Sequence, residues 1–101
     1  MNEVLEFIQE FKKENPVFVE KLFSEGYCYY FSIILIERFG GEMWYLEIAN
    51  HFITKIEGQF YDIKGLVLLP EKPALWSEFQ LKDEAHTRRI KRDCIEKRRS
   101  I

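Results

Sequence analysis

Residues 26–41 read GYCYYFSIILIERFGG, and the rest of the chain has to be arranged around them. From Tyr27 to Ile36 only Ser32 interrupts an apolar run. That run is half of the roughly 20 residues a bilayer span needs. It predicts a buried central helix, apolar on nearly every side, beginning at about Tyr27 and running to Phe39. Gly40-Gly41 supplies its C-terminal stop.

Upstream, residues 3–13 place Val4, Phe7, Ile8 and Phe11 at helical spacing, with Glu3, Glu6, Glu10, Lys12 and Lys13 off that stripe. Asn15-Pro16 ends this amphipathic helix and starts another, with Asn15 as N-cap and Pro16 in the first turn. The second helix carries Phe18, Val19, Leu22 and Phe23 and ends near Gly26. Downstream the period changes. Met43 to Ile48 predicts a strand, and two β-rich runs, 51–56 and 59–63, flank Glu57-Gly58 as a hairpin. Leu66 to Leu69 is a candidate fourth strand. Residues 70–82 read as a packed loop, and 83–101 as a polar helix with a thin stripe of Ile90, Cys94 and Ile101. The order is α+β: N-terminal helices, a central buried helix on a small antiparallel sheet of three to four strands, and a C-terminal helix.

Composition sets the bounds. The 101 residues are 47% apolar and 32% charged, which is a globular balance and not that of a disordered chain. The length suits one domain over 1–101 and is too short for TIM barrels or doubly wound dinucleotide folds. Sixteen aromatics help so small a core, since each buries a large area. Two cysteines without a CxxC pair do not make a disulfide framework or a zinc site. The N-terminus is acidic and lacks the basic region of a signal peptide. The expectation is a cytoplasmic protein with no metal, no cofactor and no membrane association.

Three residues form a chemical constellation. Cys28 opens the central helix, where free amides and the helix dipole favour a thiolate. Gly26 leaves room beside the thiol. If Glu57-Gly58 is a two-residue turn, residue 56 pairs with 59 and Ile53 faces Asp62. His51 and Asp62 then lie diagonally on one face, with backbones about 7–8 Å apart. An aspartate reaches an imidazole across that gap, fixes its tautomer and favours its protonated form. A one-residue slip of register separates them. Taken singly, each residue has a structural reading: a core cysteine, a strand-end histidine, and an aspartate capping the turn to Gly65.

The segments GYCYYFSIIL (26–35), Asn50-His51-Phe52 and GQFYD (58–62) resemble the core of papain-like cysteine enzymes. The likeness is closest to the transglutaminase-like members, with NlpC/P60 peptidases as neighbours. It extends to small proteins of bacteria and their phages. The resemblance covers about two fifths of the chain. It implies a papain-like domain in which Cys28 is the nucleophile, His51 the general base and Asp62 the orienting acid. Residues 24–27 contain no Gln or Asn. Oxyanion stabilisation then falls to the Cys28 amide, with Tyr27 or Gln9 beside it. The implied chemistry is thiol-dependent acyl transfer on a protein or peptide substrate, as peptidase, amidase, deamidase or transamidase.

Charge suggests an alternative. Residues 1–82 carry eight cations and thirteen anions, a balance of −5. Residues 83–101 carry seven and four, a balance of +3. Arg88, Arg89, Arg92 and Arg98 could serve a non-catalytic protein- or nucleic-acid-binding module, such as a mobile-element inhibitor of a host system. No aromatic is interleaved for base stacking, so nucleic acid is not favoured. His86 reads as a surface residue of that helix.

Overall fold

A computed structural model describes residues 2–96. The chain runs α1 (Glu3–Lys12), α2 (Pro16–Glu25), α3 (Cys28–Phe39), β1 (Glu42–Leu46), β2 (His51–Ile56), β3 (Gln59–Asp62), β4 (Gly65–Leu66) and β5 (Ala74–Leu75). Two helices follow, α4 (Trp76–Lys82) and α5 (Glu84–Ile90), and α5 runs into a π-helical turn over Lys91–Glu96. The fold is α+β. Among the described residues no helix is long and apolar enough to cross a membrane.

The caps explain the helix starts. Asn2 Oδ1 accepts the Val4 and Leu5 amides at 2.9 and 3.0 Å, and Asn15 Oδ1 accepts the Phe18 amide at 3.3 Å. Pro16 sits in the first turn of α2, where its missing N–H is not needed. α3 has no side-chain cap, so amides of its first turn lack an acceptor within the helix. Its end is set by Gly40 and Gly41, at φ +78° and +104°. At Gly41 a Cβ would run into the Lys55 carbonyl oxygen, so glycine is required there twice over.

The sheet has five strands in the order β4-β3-β2-β1-β5, one more than the upper expectation. The addition is β5, which pairs Trp44 with Leu75 and Tyr45 with Ala74 on the free edge of β1. Two residues are too few to display a period. The predicted loop 70–82 therefore contains both β5 and α4. Trp76 and Phe79 are buried three apart on α4, a spacing hidden by the helix's seven-residue length and by Pro70 and Pro73 before it. The helix expected over 83–101 does start at Asp83, which separates α5 from α4. That carboxylate accepts the His86 amide at 3.1 Å and caps α5. The helix then widens into the π-turn, and the Tyr30 hydroxyl donates to the Ile95 carbonyl at 2.6 Å, fastening the turn to α3. Arg98, Ile101 and the side chain of Cys94 lie outside the described residues.

α3 bridges two packed clusters. One joins Phe31 and Leu35 to Val4 and Ile8 of α1 and to Ile56, Tyr61 and Ile63. The other joins Cys28 to Tyr45, Phe52, Trp76, Phe79 and Ile90. Between them Ser32 and Thr54, both buried, share a 2.6 Å hydrogen bond from α3 to β2. This bond ties α3 to β2 one turn beyond Cys28.

Candidate active site

The β2–β3 hairpin has the register that a two-residue turn dictates: Ile56 opposite Gln59, Lys55 opposite Phe60, Thr54 opposite Tyr61. Glu57 and Gly58 both have positive φ, +49° and +83°, the type I′ signature whose twist matches the flanking strands. His51 opens β2 and Asp62 ends β3. Their side chains meet, His51 Nε2 donating to Asp62 Oδ2 at 3.0 Å. The other carboxylate oxygen, Oδ1, accepts the Lys64 amide at 2.8 Å. Asp62 thus caps the turn toward Gly65 and orients the imidazole at once, so its two readings are not exclusive.

Just before His51, Asn50 takes φ +52° and its Oδ1 accepts the Tyr45 hydroxyl at 2.5 Å. Asparagine tolerates the left-handed region better than most residues. The bond anchors the strand start to the core.

Cys28 is a free thiol at the first position of α3, with 9% of its surface exposed. It interacts directly with His51. Burial opposes a charge on His51, but hydrogen bonds to Asp62 and Cys28, with Coulomb attraction to both, outweigh it and raise its pKa from 6.5 to about 9. His51 therefore holds its proton at neutral pH. With Nε2 bonded to Asp62, Nδ1 is the ring nitrogen left for a second partner.

The other predicted residues are placed differently. Tyr27 is the N-cap of α3 and borders an open groove of about 540 Å³ along α2, shared with Val17, Phe18, Lys21, Leu22 and Gly26. Gln9 is exposed on α1 and lines a separate hollow with Leu5, Glu6 and Lys13, which none of the three central residues borders. Arg88, Arg89 and Arg92 are exposed on α5 and the π-turn, and Arg92 Nε is 3.0 Å from Asp93. His86 is not a free surface residue: its ring packs on Phe79 and Tyr45 at centroid distances of 5.3 and 6.2 Å. It also shares a small crevice of about 180 Å³ with Asn50, Arg89, Ile90 and Asp93. The groove on α2 was not read from the sequence. Its signal is the run Val17-Phe18-Val19, which spreads apolar residues beyond one helical face.

A family model described as Phage YunG-like protein matches residues 4–94. No curated protein and no solved structure matches the chain.

Proposed function

The chain belongs to the Phage YunG-like protein family, and from its site we propose a thiol-dependent acyl-transfer enzyme of papain-like design. The observation that carries the reading is the 3.0 Å bond from His51 Nε2 to Asp62, with the Cys28 thiol acting on the same imidazole. An orienting acid, a protonated imidazole and a helix-start thiol are the three parts of an activated cysteine nucleophile. The order helix cysteine, strand histidine, strand acid matches the resemblance read from residues 26–62.

In the proposed reaction the attacking form is the Cys28 thiolate paired with the His51 imidazolium, the S–H proton already residing on the ring; the sulfur adds to a substrate amide carbonyl and the carbonyl oxygen takes the negative charge. Amides of the first turn of α3 lie beside that oxygen and stabilise it. The C–N bond then breaks, and His51 gives its proton to the departing amine. A thioester remains. Water or a second amine attacks it, His51 takes that nucleophile's proton, the C–S bond breaks, and Cys28 leaves as thiolate. Asp62 holds the imidazole in one orientation through both halves. The substrate in this reading is a protein or peptide, and the free thiol suits the reducing cytoplasm.

Iodoacetamide labelling of the folded chain near neutral pH, read by peptide mapping, tests the proposal. Cys28 is expected to be alkylated well before Cys94, and His51→Ala to abolish that preference. Equal slow labelling of the two cysteines, or labelling of Cys28 only on unfolding, would overturn it.

A further inference from the structure

β1 ends at Leu46 and β2 begins at His51, and these two residues form the last pair of their ladder. On its other side β2 pairs with β3 only from Thr54 onward. The His51 backbone is therefore held by one neighbouring strand and by the turn before it, residues 47–50. All four turn residues are exposed, Ile48 to 87%, so apolar burial does little to hold the turn. Two polar tethers do. One is the Tyr45 hydroxyl on Asn50. The other comes from Glu71, 23 residues beyond Ile48: its Oε1 accepts the Ile48 amide at 3.0 Å and its Oε2 the Ala49 amide at 2.9 Å. Two successive amides converging on one carboxylate form a nest, and a charged acceptor makes such bonds about twice as strong as neutral ones. Glu71 is itself held. Val67 ahead of it donates its amide to the Phe60 carbonyl at 2.9 Å, and Ala74 behind it pairs with Tyr45. Pro70 and Pro73 flank it with fixed φ, which stiffens the span between these anchors.

We propose that Glu71 is a positioning residue of the candidate active site: by gripping the amides of Ile48 and Ala49 it fixes the turn that delivers the His51 imidazole to Asp62 and Cys28. The role rests on the acyl-transfer reading above. The imidazole meets Asp62 at 3.0 Å, and a slip of about 1 Å carries that bond out of hydrogen-bond range. Glu71 acts through the backbone and not through its charge, because the charges bearing on the His51 ring are those of Asp62 and Cys28. The structural alternative is that Glu71 only fastens its own span to the turn. The two roles predict opposite changes in Cys28 reactivity. Cys28 is 9% exposed, so a fold that is merely loosened uncovers it and speeds its alkylation. A misplaced imidazole slows it.

The test measures the rate of iodoacetamide alkylation at Cys28, near neutral pH, in the full chain as wild type, Glu71→Ala, Glu71→Gln and Glu47→Ala. Glu71→Ala is expected to react about ten-fold more slowly, within the loss that a displacement of about 1 Å brings. Glu71→Gln keeps one accepting oxygen and should fall between the two. Glu47→Ala removes a charge from the same turn but, among the described residues, no amide acceptor, and should match wild type. The His51 Nε2–H proton resonance gives a second readout. It should be sharp in wild type and Glu47→Ala, and broadened by solvent exchange in Glu71→Ala. Unchanged or faster alkylation in the Glu71 variants would overturn the role, as would a Nε2–H signal equally sharp in Glu71→Ala. Equal slowing by Glu47→Ala would overturn it too, since loss of charge would then suffice. In each of these cases a wild-type preference for Cys28 over Cys94 leaves the catalytic reading standing. Equal slow labelling of the two cysteines in wild type would remove that reading and the role with it. If Glu71→Ala does not fold, the isosteric Glu71→Gln carries both readouts.

Discussion

His51 gathers the electrostatics of the candidate site in one side chain. Its burial alone would lower its pKa; Asp62 and Cys28 reverse that and carry it to about 9. Asp62→Asn removes the charged acceptor, so the His51 pKa is expected to fall well below 9, as read by NMR titration of the ring nitrogens. A pKa still near 9 in that variant would show that Asp62 does not set it. The sign for stability follows from linkage. A histidine whose folded pKa is raised contributes stability that is fully present below its unfolded value of 6.5 and is lost as pH rises through about 9. The difference in urea midpoint between wild type and His51→Gln is therefore expected to shrink across that window. The pairing itself was legible in the sequence, because strand period and a two-residue turn fix which side chains are diagonal neighbours. The positive φ of Asn50 and its bond to Tyr45 were not, since nothing in the sequence places Tyr45 beside that turn.

Among the elements, α3 and the strands beside it determine where Cys28 stands. Ser32 lies one turn beyond Cys28 and is tied to Thr54 inside the core. Thr54→Val leaves the Ser32 hydroxyl buried without that partner and is expected to cost about 1–3 kcal/mol in denaturant melts. Adding Ser32→Ala should recover much of the loss, because removing both partners leaves nothing unsatisfied. The α3–β1 connection makes a second prediction. Gly41→Ala forces a Cβ onto the Lys55 carbonyl at a positive φ and should destabilise by about 1–3 kcal/mol. A Cβ on Gly40 would have no neighbour within 4 Å, so Gly40→Ala meets only the backbone strain and should cost less. Periodicity found the three long helices and the hairpin because each repeats its pattern several times. It missed β5 and α4 because two and seven residues repeat it too little.

Across the whole molecule, two clusters joined by α3 bring residues distant in the chain to one place. Lys12 illustrates what this does to a residue's reading. Its charge set it off the apolar stripe of α1, yet it is 5% exposed. Its amine is 2.6 Å from Glu20 Oε2 on α2 and 3.1 Å from the Ile63 carbonyl beyond β3. Lys12→Ala is expected to lower stability by about 1–3 kcal/mol through those orphaned partners. Lys13→Ala, at an exposed pair with Glu10, should change it by no more than about 0.5 kcal/mol. Equal effects in thermal melts would contradict the placement. The same assembly packs Trp76, Phe79 and Ile90 into one cluster with Cys28 and leaves α2 without a buried residue. From the amino-acid order alone came the α+β class, the buried helix, the hairpin register and the three residues of the candidate site. These depend on local period and turn geometry, which a chain carries within a few residues. The fifth strand, the inward turn of Lys12, the covering of Cys28 and the groove at Tyr27 came only with the tertiary structure. Each depends on which surfaces remain uncovered after segments far apart in sequence have packed, and no local pattern encodes that.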